Sequence, residues 1–462
     1  MKRSLFYVFV AGLQSIGSIG GPLIAARRLG PAQLGVLAIG VLVVVFVRSL
    51  ASLGLYGPVS VALHDGPEGV RRGRAILRWS GLLCLPIGAV LCVLGLVVQG
   101  TPGSFLSSAA AGCAGAVAMG HQALHRSVTD HAAYASAVLG PTAYANLAGL
   151  AALWTLGGGA ATYLAGMAVV SLLVSLMLHL RHVHGVAPAS GPERKAALRV
   201  GLPLVLTAAA TVGLSLGDRP IIGGILGEAE VGRYHLTYII AGGGVPLLAA
   251  LNNAWLPMVL DTPAAERMRI LACSLAGLVV GTTVMSLGAA AAAPAVVKIV
   301  GGAQYVDSST VWVAGVIALG VVPYAVYSGM TIGLLSLERT STIAKATVLA
   351  VLANLAANLA LVPTVGLVGA AASTIVSYGV AAGVAWRAIG GRSTVAWATP
   401  KVALAMGGLC LGILLLAQMP VDGPEALTVR ILIGAVAGAL GCRSVAKALS
   451  RRPAANPEGS AP

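Results

Sequence analysis

An arginine interrupts an apolar run of the sequence, with further polar side chains at helical spacing behind it. Arg48 follows the run 43–47, and Ser52 and Tyr56 come after it at intervals of four residues. A helix over this stretch would carry a guanidinium, a hydroxyl and a phenol on one face. Within a membrane the cation costs about 3 kcal/mol and needs a partner or a hydrated cavity. Arg48 could bind a pyrophosphate group through paired hydrogen bonds, or it could cap the carbonyls of a broken helix.

A carboxylate and a second arginine, Asp218 and Arg219, end a later apolar run. Asp218 continues a helical stripe of hydroxyl side chains, namely Thr207, Thr211 and Ser215. Neighbouring residues on a helix point about 100° apart, so Asp218 need not pair with Arg219 and could instead pair with Arg48. Three roles stay open for Asp218: coordination of a coupling ion such as Na⁺ or H⁺, a structural ion pair, or a place on the outer surface. Arg219 is a candidate for substrate binding.

Other polar residues could contact a polar substrate from elsewhere in the chain. Gln14 lies in the first apolar run, and Arg27 and Arg28 follow that run. The two arginines would form either an anionic exit site or anchors at the membrane interface. Asn354 and Asn358, four residues apart, would bind sugar or bridge neighbouring helices.

The histidines suggest no metal site. His121 and His125 are spaced four apart at the predicted cytoplasmic end of a span, where we expect no third ligand, while His182 and His184 lie in a polar connecting segment. No nucleophile beside a base and no phosphate-binding loop is evident. The sequence therefore predicts a protein that is not an enzyme and that has no metal or cofactor other than the coupling ion.

Composition predicts the elements that position these residues. Apolar residues make up 57% of the chain and charged residues 9%, with a mean hydropathy of +0.91. Apolar runs of about 20 residues, the length that crosses a bilayer, recur throughout. We expect an all-α polytopic membrane protein with about fourteen spans: 4–26, 34–60, 75–99, 105–124, 135–156, 160–180, 200–224, 232–256, 270–293, 308–335, 341–362, 366–387, 401–418 and 427–448.

The basic residues predict the orientation of these spans. Of the 29 Lys and Arg residues, only Arg48 falls within the membrane, and a minority fall on the side opposite the N-terminus: Arg27, Arg28, Arg219, Arg233, Lys298 and Arg430. Because basic loops stay in the cytoplasm, both termini are predicted to be cytoplasmic. The net charge of +15 then reflects topology and attraction to anionic membrane lipids, and we expect no nucleic-acid partner.

A repeated motif suggests that the chain contains two related halves. Leu29–Gly35 and Leu226–Gly232 share the pattern Leu-Gly-x-Ala-x-(Leu/Val)-Gly. In each copy we expect the first glycine to end a helix in a left-handed conformation and the second to let the next helix begin close by. The predicted organisation is two pseudo-symmetric six-helix lobes and two additional helices: lobe 1–180, cytoplasmic linker 181–199, lobe 200–387, additional helices 388–448 and tail 449–462.

These motifs carry a resemblance to a known superfamily. Segments 26–35, 217–234 and 358–371 resemble turns of the multidrug/oligosaccharidyl-lipid/polysaccharide exporter superfamily, and within it the Wzx-type polysaccharide flippases. The resemblance implies alternating-access transport of an oligosaccharide linked to undecaprenyl pyrophosphate, from the inner to the outer leaflet of a bacterial cytoplasmic membrane. The lipid II flippases of this superfamily also have an arginine in their second span, similar in position to Arg48. A monomer that works beside a polysaccharide polymerase is implied.

Two other functions remain open at this stage. A cation-coupled drug antiporter of the same fold would need buried carboxylates for organic cations, whereas the charge placed within the first six spans is Arg48. A membrane glycosyltransferase or polymerase would need acidic residues in a sizeable loop, and the 14 Asp and Glu residues are scattered through short loops. Flipping of a lipid-linked oligosaccharide is therefore the leading prediction.

Overall fold

The computed structural model describes residues 2–98, 102–128, 130–390 and 400–450. Every regular element in these ranges is a helix, which confirms the all-α fold. Ten of the described helices are long and apolar enough to cross a membrane, and one of them, Phe9–Ala51, covers the first two predicted spans. The chain is a multi-pass membrane protein.

The chain forms two compact units, residues 1–236 and residues 237–462. The predicted linker 181–199 lies within the first unit and packs on it. Ala189 donates its backbone N–H to the carbonyl of Ala75 over 3.2 Å, and the guanidinium of Arg78 donates to the carbonyl of Val186. Val183, buried in the same apolar cluster, adds to this contact. The lobe and linker boundaries stay a prediction.

The first unit contains both long and short helices. They are α1 Lys2–Ala51, α2 Tyr56–Ala62, α3 Gly66–Val98, α4 Pro102–Ser127, α5 His131–Leu139, α6 Ala145–Thr155, α7 Ala160–His182, α8 Gly191–Leu216, α9 Asp218–Leu226 and α10 Glu228–Ala241, the last of which runs into the second unit. Two of these helices begin at polar caps. Asp130 accepts from the N–H of Ala133 at the start of α5, and Ser190 with Glu193 forms a capping box at the start of α8.

Several spans that hydropathy predicts as continuous are broken. The span 34–60 ends its first helix at Ala51 and resumes at Tyr56, with Leu53 at φ 46° and Gly54 at φ 64° between them. The span 135–156 contains a π-helical turn at Gly140–Tyr144. The spans 200–224 and 232–256 are interrupted between α8 and α9 and after α10. An apolar composition persists through such breaks, so hydropathy alone does not detect them.

The second unit consists of longer helices around an apolar core. They are α11 Gly244–Leu260, α12 Ala264–Gly301, α13 Thr310–Ser336, α14 Thr340–Val365, α15 Leu367–Ile389, α16 Pro400–Ala417 and α17 Pro424–Ser450. Its core includes the buried side chains of Leu275, Val279, Met330 and Leu409. The packing of α12 against α17 relies on small residues, since a Cβ added at Gly288 would lie 2.8 Å from the carbonyl oxygen of Gly434.

The repeated motif forms a reciprocal contact within the first unit. Gly30 and Gly227 have positive φ of 72° and 95° where a helix ends, as predicted, but their ψ of 171° and 165° is extended and not that of the predicted left-handed conformation. The second glycines play a different role from the one predicted. A Cβ at Gly35 would overlap the carbonyl oxygen of Glu228, and a Cβ at Gly232 would overlap that of Pro31, which is the equivalent residue of the other copy. The two copies therefore pack backbone to backbone.

Candidate functional site

Arg48 lies in the last turn of α1, immediately before the helix break, and not in the middle of a continuous span as predicted. Its side chain crosses α4 at Gly115, where an added Cβ would lie 2.9 Å from Arg48 Cδ. The Nε atom of Arg48 is buried, and among the described residues no group accepts a hydrogen bond from the guanidinium. The alternative role of capping broken-helix carbonyls is therefore not the one seen here.

Ser52 performs the capping that Arg48 does not. Its buried hydroxyl donates to the carbonyl of Ser49 over 2.9 Å and accepts from the N–H of Gly54 over 3.2 Å. Tyr56 begins α2 beyond the break and is half-buried. The predicted straight stripe of Arg48, Ser52 and Tyr56 is wrong because the helix does not continue through residues 52–55.

Asp218 and Arg219 form a buried ion pair. Arg219 Nη1 lies 2.5 Å from Asp218 Oδ1, and the two side chains are 1% and 6% exposed. Arg219 also donates to the carbonyl of Ser215 over 2.8 Å, and its guanidinium lies 5.6 Å from the ring centre of Tyr234. Asp218 opens α9 after the break at Gly217, and the long arginine side chain turns back towards it. These contacts favour the structural ion pair among the three roles considered for Asp218.

The remaining candidates of the first unit are less enclosed. Gln14 is half-buried on α1, and Arg27 and Arg28 are exposed just before Gly30. The guanidinium of Arg28 lies 5.9 Å from the ring centre of Trp154, a cation–π contact that suits an interfacial anchor.

Asn354 and Asn358 lie buried between α14 and α15. Asn358 Nδ2 donates to the Asn354 carbonyl over 2.9 Å, and Asn354 Nδ2 donates to Ser377 Oγ over 3.4 Å. Asn354 thus bridges the two helices and Asn358 bonds to it within α14, which favours the helix-packing alternative over sugar binding. The first unit has a similar bridge that the sequence did not suggest, in which Tyr163 of α7 donates to Asn146 of α6 over 2.7 Å.

Arg430 of α17 is fully buried. Its sequence position predicted only that it lies on the side of the membrane opposite the N-terminus. Its guanidinium donates to the carbonyls of Leu416 and Met419 over 2.7 Å each and to that of Pro420 over 3.1 Å. These carbonyls belong to the end of α16 and the residues after it. Arg430 is thus a structural cap of the kind considered for Arg48.

A large apolar groove lies within the second unit. It has a volume of about 800 Å³ and is formed by α12, α13, α15 and α16, with a lining that includes Val279, Val322, Ile375, Trp386 and Met406. None of the described residues that line it is charged. Such a groove can accept a hydrocarbon chain, and its described lining has no charged group to hold a phosphate.

The prediction that His121 and His125 lack a third ligand is wrong. The end of α7 brings His182 to them, and the ring centres of His125 and His182 lie 4.2 Å apart. Asp130 lies beside this pair, with Oδ2 3.8 Å from His125 Nδ1. The N–H of Ala133 lowers the pKa of Asp130 below its ordinary value, and the nearby histidines lower it further.

Comparison with known proteins identifies the fold. The lipid II flippase MurJ in an inward-closed conformation superposes with a TM-score of 0.72 at 13% identity, over 97% of this chain and 100% of that chain. An inward-facing multidrug resistance MATE family transporter gives 0.61 at 14% identity over 86% and 96%. A transporter from Pyrococcus furiosus, described as having a binding pocket of reverse polarity, gives 0.54 at 17% identity over 88% and 96%.

The last two structures are described as members of the MOP superfamily, so the chain has the fold of that transporter superfamily. No protein-family model matches the chain, and no curated protein sequence matches it significantly.

Proposed function

We propose that the protein is a flippase that moves an oligosaccharide linked to a polyprenyl pyrophosphate across the cytoplasmic membrane by alternating access, for assembly of a cell-surface polysaccharide. The observation that carries the proposal is the guanidinium of Arg48, which has no acceptor among the described residues although its Nε is buried. A doubly charged pyrophosphate supplies several acceptor oxygens, and two of them can accept hydrogen bonds from the planar guanidinium at once.

Two further observations support a lipid substrate. The uncharged groove of about 800 Å³ in the second unit suits a polyprenyl chain, which is long and wholly apolar. The structure of the lipid II flippase, a protein named for a lipid substrate, superposes over nearly the full length of both chains. Arg27, Arg28 and Gln14 would be secondary contacts for the polar part of the substrate.

The runner-up is a cation-coupled antiporter of drugs or other small molecules, since multidrug transporters have the same fold. An organic cation needs a free carboxylate, but Asp218 is already paired with Arg219. The guanidinium of Arg48, of which the Nε atom is buried, has no acceptor among the described residues, and its positive charge favours an anionic substrate. The coupling ion, Na⁺ or H⁺, stays a prediction.

The cellular setting belongs to the same proposal. The protein would reside in a bacterial cytoplasmic membrane with both termini inside, act as a monomer and pass its substrate to a polysaccharide polymerase. The basic residues of the chain, concentrated on the side of the N-terminus, support this orientation.

The test uses the full-length protein reconstituted into vesicles with a fluorescent oligosaccharide linked to undecaprenyl pyrophosphate. Arrival of the label in the opposite leaflet is followed by its accessibility to an impermeant quencher. We expect Arg48→Ala to reduce the rate at least about tenfold, the equivalent of one lost charge-assisted hydrogen bond. Arg48→Lys should keep part of the activity because it keeps the charge.

Arg71→Ala is the matched control, since Arg71 is an exposed arginine of the same unit and pairs with Glu68 at the surface. It should flip the lipid at the parental rate. An Arg48→Ala protein that flips as fast as the parent would refute the role given to Arg48. Transport of an organic cation by the parent, with no flipping of the lipid, would favour the antiporter.

A further inference from the structure

A cluster of four histidines lies in the first unit at the ends of α4 and α7. His121 and His125 come from α4, and His179 and His182 come from α7. The rings form a connected set, with centres 5.6 Å apart for His121 and His125 and 6.0 Å apart for His121 and His179. The proposed transport of a lipid makes no use of this cluster.

The imidazoles of the α4 pair are buried without hydrogen bonds. His121 is 0% exposed and His125 is 1% exposed, and among the described residues none of their four ring nitrogens has a hydrogen-bond partner. A buried polar nitrogen without a partner has lost its hydrogen bonds to water and has formed none within the protein, which is unfavourable. Such atoms point to a ligand that accepts a lone pair.

The donor atoms are close to the spacing of a metal site. One ligand atom each from His125, Asp130 and His182 lie within 4.8 Å of one another. Two ligands on a tetrahedral zinc ion, each bonded at about 2.0–2.1 Å, are about 3.4 Å apart. His125 Nδ1 and Asp130 Oδ2, at 3.8 Å, are too far apart for a hydrogen bond but need to move only slightly to share an ion.

We propose that His125, Asp130 and His182 bind one divalent transition-metal ion, with Zn²⁺ as the best fit. Imidazole nitrogens with a single carboxylate suit zinc and its neighbours in the series, and they suit Mg²⁺ or Ca²⁺ poorly. His121 lies beside the three ligands, its ring centre 6.3 Å from that of His182, but it is not one of the residues whose ligand atoms lie within 4.8 Å of one another. The ion would tie the ends of α4 and α7 to the start of α5.

The carboxylate of Asp130 offsets the positive charge of nearby arginines. Arg74 and Arg181 act electrostatically on His182, and both oppose an added cation. Asp130 acts on the same histidine with the opposite sign. Asp130 also caps α5 through the N–H of Ala133, so its oxygen atoms are held in place by the helix start.

The experiment measures zinc binding by the full-length protein, purified in detergent through an affinity tag that contains no histidine. Zinc per chain is determined by elemental analysis, and affinity by competition with a chromophoric chelator. Mg²⁺ serves as the metal control. We expect one zinc ion per chain in the parent, no competition from Mg²⁺, and the visible absorption bands of tetrahedral cobalt when Co²⁺ replaces zinc.

Variants locate the ion. His182→Ala and Asp130→Asn should each weaken zinc binding at least about tenfold. His184→Ala is the matched control, because His184 is exposed and lies two residues beyond His182. Asparagine caps a helix as well as aspartate does, so Asp130→Asn still tests the site if His182→Ala does not fold. A parent that binds no stoichiometric zinc, or equal affinity in the parent and both variants, would overturn the proposal. Transport is not measured, so the result is independent of the proposed function.

Discussion

Each unit contains an arginine packed against apolar helices, and only one of the two has hydrogen-bond acceptors among the described residues. Arg430 is fully buried, whereas Arg48 is half-buried with a buried Nε atom. Arg430 in the second unit donates to three carbonyls at 2.7–3.1 Å around the end of α16. Arg48 in the first unit packs its aliphatic part on Gly115 and donates to no group among the described residues. The difference shows that burial of a charge does not itself indicate a function. What separates a structural arginine from a candidate binding residue is whether the fold supplies its acceptors.

The largest effect is expected from removal of the satisfied arginine. Arg430→Ala leaves the carbonyls of Leu416, Met419 and Pro420 without their charged donor, and should lower the free energy of unfolding by about 5 kcal/mol. Thermal unfolding in detergent and abundance in the membrane both report this loss. Arg443→Ala, at an exposed position of the same helix, is the control and should unfold like the parent. An Arg430→Ala protein as stable as the parent would show that Arg430 is not a structural cap, and the contrast with Arg48 would be wrong.

An intermediate effect is expected at the buried ion pair of the first unit. Asp218→Asn leaves Arg219 without its counter-charge, and should lower the free energy of unfolding by about 3 kcal/mol. Denaturation of the purified variant measures this loss. A variant that is as stable as the parent but no longer transports would instead support the role of Asp218 in ion coupling.

The smallest effect on stability is expected at Arg48. Arg48→Met keeps most of the apolar contact with Gly115 and removes a charge that has no acceptor among the described residues, so the free energy of unfolding should change by less than about 1 kcal/mol. The same unfolding assay serves, with Arg430→Ala as the reference. A loss as large as that of Arg430→Ala would mean that Arg48 is structural and would remove the main support for an anionic substrate.

The fold could be predicted from the sequence because the membrane imposes a simple rule. Within the described ranges every predicted span falls on helical segments, since backbone groups in lipid must bond within a helix. The breaks at residues 52–55 and at the π-helical turn 140–144 could not be predicted from hydropathy. They replace backbone hydrogen bonds with local ones, such as those of Ser52, without any change in apolar character.

The sites were harder to predict, because they depend on contacts between helices distant in sequence. Arg430 was predicted to lie on the side of the membrane opposite the N-terminus, which stays a prediction. Its distance from the end of a span did not indicate that it caps carbonyls at the end of α16. The histidine cluster did leave a signal. His121 and His125, and His179 and His182, lie at or just beyond the ends of two predicted spans, and the alternation of the predicted spans puts those ends on the same side of the membrane. Because the two pairs of histidines are predicted at similar depths in the membrane, the sequence itself favours a histidine cluster.

The reciprocal contact of the repeated motif resembles the interface of a symmetric homodimer, but both of its sides belong to one chain. Gly35 meets the carbonyl of Glu228, and Gly232 meets the carbonyl of Pro31, its counterpart. In an isologous interface each substitution acts on two equivalent contacts, whereas here the two contacts involve different positions of one chain. Gly35→Ala and Gly232→Ala can therefore be made one at a time. Each disrupts one of the two contacts, whereas a single substitution in a symmetric dimer would disrupt both.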